Sequence, residues 1–313
     1  MTVRNVELAD RLVAALAGIR IDAEEHFAVL GARELHADTG KDLARALALA
    51  CYEVLHVGWA LPHAGSPRSR RDRGFEQRLA AAVPHRETPV SVTFLDLDPA
   101  TERVLVRRDG VRVWLPANVI GADFEHIPDS PLVLRCDPAR PAVSPGFFLV
   151  DGSRPPVTSG PLLRVYLHLR SAESTPEIWS IVLNTLHAGD IAYRAKVISD
   201  QAAFPRRDGL VVYLGEGDWQ AADLIATAVR GHPGLGADVS MFASALGAGV
   251  ATAWEPVDTH PGMRGLSFGQ HRAHVLATAL LAAAQDGESP ESAVCQAFRQ
   301  ARIDPRDPAR NLP

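Results

Sequence analysis

Lysine is nearly missing from this chain. Of its 32 basic residues only Lys41 and Lys196 are lysines, and the other 30 are arginines. The two cations are not interchangeable: a guanidinium stays charged at any working pH, whereas a desolvated lysine can give up its proton. A lysine kept in so arginine-biased a chain is a candidate for chemistry. Lys41, inside Asp38-Thr-Gly-Lys41-Asp42, suits a charged surface, and Lys196 is placed differently. Cysteine is scarce as well. Cys51, Cys136 and Cys295 are far apart without a paired spacing, which argues against a disulfide framework or a thiolate zinc site and fits a reducing compartment. No apolar run is long enough to span a bilayer, and Met1 to Asp10 lack the apolar core of a secretory signal. A cytoplasmic protein with no membrane partner is expected. The formal charge of −5 lacks the broad basic surface that nucleic-acid binding requires, so any anion site must be local.

With 47% hydrophobic residues over 313 positions, the chain can bury a sizeable core. From Asn5 to Ala60 apolar residues recur at helical spacing, as in Leu8, Leu12, Val13, Leu16 and in Leu43, Leu47, Ala50, Val54, Leu55. Pro62 to Gly74 holds the arginine run Arg68-Ser-Arg-Arg71-Asp-Arg73, either a solvated loop or a contact for an acidic peptide. Pro89 to Val150 changes to short strands, with Asp109-Gly110 marking a tight hairpin. Beyond the Gly/Pro/Ser-dense stretch Gly152 to Pro161, strands and helices alternate to a last helix near Pro290 to Arg302, after which the tail from Asp304 should fray. The expected fold class is α+β: a helical N-terminal region and small antiparallel sheet over 1–150, serving substrate or partner docking, then a mixed α/β catalytic domain over 151–313.

The strand Arg164-Val-Tyr-Leu-His-Leu-Arg170 alternates strictly, so Val165, Leu167 and Leu169 face one way and Arg164, Tyr166, His168 and Arg170 the other. In Ile191 to Ile198 the same period puts Arg194 and Lys196 on one face. Arg206, Arg207 and Asp208 stand at the mouth of the apolar strand Leu210 to Leu214. Ser267-Phe-Gly-Gln-His-Arg272 opens a long helix; Ser267 has N-cap chemistry, and His271 and Arg272 fall in the first turn, where an anion is stabilised.

Such a set supports elimination of phosphate from a phosphorylated Ser or Thr. That reaction needs a base for the Cα proton and charge-assisted donors for a leaving group carrying about −2. Lysine can be the base only when neutral, a state favoured by desolvation and neighbouring guanidiniums. Lys196 is the candidate base and His168 the candidate acid. Arg164, Arg194, Arg207, Arg272 and Ser267 are candidate phosphate ligands, with Tyr166, Asp208 and His271 in support. Neither a metal nor a cofactor is called for.

Pro145-Gly-Phe-Phe148, Arg164-Val-Tyr166, Tyr193-Arg-Ala-Lys196-Val, Arg207-Asp-Gly-Leu-Val-Val-Tyr213, Gly249 to Pro256, and Ser267-Phe-Gly269 with Arg272 occur in an order that resembles the HopA-type effector family. That family was first known among type III secreted bacterial effectors and is also found as the lyase component of class V lanthipeptide and thioamitide pathways. The resemblance implies a phosphoserine/phosphothreonine lyase that yields dehydroalanine or dehydrobutyrine. Its partners would be a phosphorylated precursor peptide and a separate, aminoglycoside-phosphotransferase-like Ser/Thr kinase. At His168 the chain departs from effector-like members, which more often carry Asn.

Rival classes fare worse. Gly234-Leu-Gly236 and Gly247-Ala-Gly249 lack the full dinucleotide-binding pattern, and the serine-hydrolase elbow is missing. The remaining alternative is a non-catalytic phosphopeptide-binding or effector-type scaffold, in which Lys196 is one more cation.

Overall fold

The computed structural model describes residues 8–62, 72–120, 127–157 and 159–313. Most of the arginine run between Arg68 and Arg73 lies outside them. In chain order the elements are α1 (Asp10–Leu16), β1 (Ile19–Asp22), β2 (Phe27–Leu30), β3 (Arg33–His36), α2 (Gly40–Cys51), a π-helical turn (Tyr52–Val57), α3 (Arg73–Ala81), β4 (Thr88–Asp98), β5 (Arg103–Arg108), β6 (Val111–Pro116), β7 (Pro131–Cys136), β8 (Ala139–Ser144) and β9 (Phe147–Asp151). There follow β10 (Leu163–Leu169), α4 (Thr175–Ala188), β11 (Tyr193–Ile198), β12 (Arg206–Leu214), α5 (Ala221–Ala228), β13 (Ser244–Gly247), β14 (Val250–Trp254), α6 (Phe268–Asp286) and α7 (Pro290–Gln300). The fold is α+β, with every named strand pairing antiparallel.

The N-terminal helical pattern is interrupted. Between α1 and α2 the chain forms the three-stranded meander β1-β2-β3. Here Ile19-Arg-Ile21 and Phe27-Ala-Val-Leu30 alternate locally, and Gly31 at φ 60° makes the turn into β3; two-residue alternation over four positions is too short to stand out against the helical signal around it. The second sheet, β6-β5-β4-β7, is the small antiparallel sheet expected, and Asp109 (φ 50°) and Gly110 (φ 79°) form its tight hairpin with both residues left-handed.

The third sheet has seven strands in the order β13-β14-β10-β12-β11-β9-β8. Strand alternation divides its two faces. Val165, Leu167, Ala195, Val197, Leu210 and Val212 pack against α4 and α5 in one core, where Ile178, Trp179 and Leu183 are fully buried. Each such side chain contributes about 1.5–3 kcal/mol on leaving water. Trp179 also donates its indole N–H to the Leu79 carbonyl at 3.1 Å, fastening α3 to α4. On the opposite face Tyr166, Val211, Ala251 and Ala253 meet a second core built from α1, α2, α6 and α7. N-terminal helices and C-terminal strands thus share one interior. The boundary expected at 150/151 falls at the end of β9, a strand hydrogen-bonded to β11.

The C-terminal tail does not fray. Its carbonyls are taken: Ala309 accepts the Trp254 N–H at 2.8 Å, Pro305 accepts the Ala9 N–H at 2.9 Å, and Ile303 and Ala309 are buried. Polarity near a terminus misled here, because the tail's own polar groups are matched to partners far away in sequence.

Candidate active site

Register places the key side chains in two rows across the helix-covered face. Tyr166, Val211, Lys196 and Leu149 are directly opposite one another on β10, β12, β11 and β9; Arg164, Tyr213, Arg194 and Asp151 form the neighbouring row. The helices cover Tyr166 and Val211 but leave the far part of the face open. There a cavity of about 1020 Å³ is lined by Lys196, Arg164, Arg206 and Tyr213 from the sheet. Tyr52, Glu53 and Trp59 from the π-helical region, and Ser267 and Gln270 from the start of α6, line it from above.

Lys196 is held by aromatic faces. Its Nζ lies 4.4 Å from the Phe147 ring centroid and 5.8 Å from that of Tyr213. Among the described residues it makes no hydrogen bond or ion pair. The arginines beside it are committed. Arg164 forks onto Glu255, its Nη2 at 2.6 Å from Oε1, and its guanidinium stacks over Tyr213 at 5.0 Å. Arg206 donates to both oxygens of Asp208 at 2.6 and 3.1 Å and to the Tyr52 hydroxyl at 2.8 Å, with Trp59 and Phe147 rings 5.1 and 5.4 Å from its carbon. Forked pairing fixes each guanidinium plane before any ligand arrives.

A buried polar chain supports Arg206. Asp208 is buried and its Oδ2 lies 3.6 Å from His56 Nε2, whose Nδ1 meets the Ser240 hydroxyl at 2.7 Å. Burial alone would raise the Asp208 carboxyl, but Arg206 and His56 outweigh it and hold it at about 2. Burial pushes His56 down to about 4, so the imidazole is neutral at pH 7. Its ring touches α6 closely: a Cβ at Gly269 would sit 2.2 Å from it, so only glycine fits there. Tyr166 closes the site floor, its ring edge-on to His56 with centroids 5.3 Å apart. Its buried hydroxyl meets no hydrogen-bond partner among the described residues, and burial keeps the phenol protonated.

The ten sequence candidates divide into four places. Lys196, Arg164, Tyr166, Asp208 and Ser267 gather at or beneath the cavity; Ser267 caps α6 by accepting from the Gln270 N–H, and Gln270 returns the bond. Arg194 is not in the cavity wall but is forked onto Asp151 at 2.6 and 3.1 Å. His168 and Arg207 share the carboxylate of Asp238, away from this cavity. His168 Nδ1 is 3.0 Å from Asp238, which also accepts from Arg207 Nε at 2.6 Å, and His168 lines a separate cavity shared with Arg170 and His232. The β10–β12 register shifts between Leu167 and Leu169, and the bare Gly236 admits the imidazole, where a Cβ would be 2.1 Å from its ring. Arg207 reaches the other way from Arg206 and ties the carbonyls of Val54 and Leu55. Arg272 is fully buried and anchors the tail through Pro308 O at 2.9 Å and Asn311 Oδ1 at 2.8 Å, while His271 bonds Asp258 at 3.0 Å.

Several contributors carry no local sequence signal: Tyr52, His56 and Trp59 from the N-terminal part, Glu255 as the partner of Arg164, and Arg206 in place of Arg207. Three of the four tyrosines, Tyr52, Tyr166 and Tyr213, are at this site. In a chain so poor in that residue, their clustering was the available signal.

A family model described as the HopA1 effector protein family matches residues 138–310, more than half of the chain. The chain belongs to this HopA1 effector protein family. The fold is similar to that of the effector protein from Pseudomonas syringae pv. tomato strain DC3000, with a TM-score of 0.50 and 13% identity over 89% of this chain and 92% of that one. A second effector structure, from Pseudomonas syringae pv. syringae strain 61, aligns with a TM-score of 0.48 and 11% identity over 87% and 93% of the two chains. No curated protein sequence matches. The HopA1 match takes in Arg164, Lys196, Arg206, Asp208, Glu255 and Ser267, whereas Tyr52, His56 and Trp59 lie before it.

Proposed function

We propose that this HopA1-family chain is a phospho-Ser/Thr lyase acting on a phosphorylated peptide, the phosphate having been installed by a separate kinase. The observation that carries this is the contrast within the cavity: Arg164 and Arg206 are locked to carboxylates, while the Lys196 amine stands between them without a partner among the described residues. A volume of about 1020 Å³ admits several residues of peptide around the reacting one. In the proposed step the Lys196 amine takes the Cα proton, the C–H electron pair becomes the Cα=Cβ bond, and the Cβ–O pair departs with the phosphate, which takes up one proton from water while the Lys196 ammonium returns its own to solvent. The fixed guanidiniums of Arg164 and Arg206 stabilise the leaving charge by positioned pairing. Of the four carboxylates that line the same space, Glu53 pairs with Arg33, Glu255 with Arg164 and Asp258 with His271, and Asp200 accepts from the Ala202 N–H at 3.0 Å. His168, bonded to Asp238, has no role in this step.

Incubation of a phosphothreonine peptide with the purified chain, read by mass spectrometry, tests it. Loss of phosphoric acid is expected without added nucleotide, and Lys196→Arg should abolish it while phosphopeptide binding persists, because arginine stays protonated. Unchanged phosphopeptide bound equally by both proteins would favour the effector-type scaffold, and simple dephosphorylation would sink both readings.

A further inference from the structure

A second groove, of about 670 Å³, runs beside β4. β4 pairs with β7 from Thr88 to Thr93, but β5 reaches it only from Thr93 to Asp98, so one edge of Thr88–Val92 has no strand partner. The direction of the unpaired groups follows from Phe94, whose N–H goes to Ser130 O at 2.9 Å and whose carbonyl accepts from Asp129 N–H at 2.8 Å, both on the β7 side. Alternation turns Val92 and Val90 the same way and turns Ser91 and Pro89 outward. Pro89, with no N–H to offer β7, falls on the outward parity. The open edge therefore presents the Ser91 N–H and the carbonyls of Ser91 and Pro89, none with a partner among the described residues.

The groove walls suit one kind of occupant. Pro155 and Pro156 form a side that cannot donate backbone hydrogen bonds and so does not compete for the edge. Arg108 and Arg140 line it, and the single carboxylate of Asp151 serves both Arg140, at 3.0 Å, and Arg194, at 2.6 Å, which leaves one cationic charge uncompensated. The Arg108–Asp109 pair, at 3.5 Å, is exposed and exchanges readily for another carboxylate.

We propose that this groove binds an extended acidic peptide segment as an added strand on β4, with acidic side chains on Arg108 and Arg140. Strand addition of this kind takes affinity from main-chain bonds and selectivity from alternate side chains. Arg140 is opposite Leu149, and Leu149 is opposite Lys196. The backbone of Arg140, on the groove wall, is thus two strand spacings, about 10 Å, from that of Lys196, with both side chains on the same sheet face. A peptide held here can place a more distant residue in the large cavity, a link that rests on the proposed elimination although the groove itself does not.

The test uses an unphosphorylated fluorescein-labelled peptide of about ten residues, alternating glutamate with valine or threonine, and so works whether or not the chain is a lyase. Fluorescence anisotropy should show binding to the full chain, and hydrogen exchange should show protection of the Ser91 amide. The same peptide with alternate backbone nitrogens methylated, or with lysine in place of glutamate, should bind at least ten-fold more weakly. Ser91→Pro, at an outward N–H, and Arg108→Glu should weaken it to a similar degree, and Lys196→Arg should leave it unchanged. Equal binding of the methylated peptide, or an unprotected Ser91 amide at saturation, would overturn the proposal. So would self-association through this edge that the peptide fails to displace, since that would give the edge to a second copy of the chain.

Discussion

Two arginine-rich regions of this molecule are built on opposite plans. Around Arg272 all three guanidinium nitrogens are engaged inward: the group is fully buried, lies 4.8 Å from the Phe268 ring centroid, and binds Pro308, Asn311 and His271. Around Lys196 the cations line an open cavity, and Arg164 and Arg206 are each held by a carboxylate on one side only. What separates a structural cation from a candidate ligand-binding one is the set of groups that consume its donors, and neither residue type nor local motif reveals it. The Arg272 region even uses burial against charge, which brings its guanidinium down to about 9.

The comparison breaks most sharply at Asp208. Asp208→Asn leaves Arg206 buried without its countercharge, and loss of one partner of a buried pair costs about 3–5 kcal/mol. A fall in urea midpoint with an unchanged slope would show it. Should the midpoint barely move, Arg206 is not held by Asp208 as the geometry requires.

Acid should expose the same support in two steps. His56 is depressed to about 4 in the fold against about 6.5 unfolded, so the unfolded chain binds the extra proton between these values and stability falls as pH drops from about 6.5 to 4, by about 3 kcal/mol. Asp208, held at about 2, adds stability that is complete above about 4 and lost as pH falls toward 2. In His56→Gln the first step should vanish and the second remain. An unaltered slope between pH 6.5 and 4 in that variant would locate the titration in other groups.

On the buried side, Arg272→Met should destabilise by about 2 kcal/mol, because the carbonyls and amide oxygen it serves lose their donor while the methionine fills the space. Phosphopeptide binding, measured well below the unfolding temperature, should be unchanged. A selective loss of binding would return Arg272 to the phosphate site that the motif Ser267 to Arg272 suggested.

How much of this was legible in the sequence depends on the range of the interaction. Strand alternation alone placed Arg164 and Tyr166 opposite Val165 and Leu167, and Arg194 with Lys196 opposite Ala195, because a period of two is a local property. The Ser267 cap and the Asp109-Gly110 hairpin were legible for the same reason. His168 kept the alternation in sequence but sits past a register shift, where Asp238 and the bare Gly236 claim it. Nothing local distinguishes Arg206 from Arg207; their roles are set by Asp208 and Tyr52 for one, and by Asp238 and the Val54 carbonyl for the other. The π-helical turn that brings Tyr52, His56 and Trp59 to the sheet continues α2 without a break in spacing, so its residues read as ordinary core.

The smallest structural effect should accompany the largest functional one. Lys196→Met removes a half-buried amine that has no hydrogen bond or ion pair among the described residues and replaces its stem with one of similar length between Phe147 and Tyr213. Only the cation–π attraction is lost, about 0.5–1 kcal/mol, and the thioether keeps favourable contact with both rings. The unfolding midpoint should therefore stay close to that of the parent, while elimination from a phosphothreonine peptide falls below detection. If instead Lys196→Met destabilises as much as Arg272→Met and leaves elimination intact, the amine is a structural cation, and the contrast between the two regions disappears.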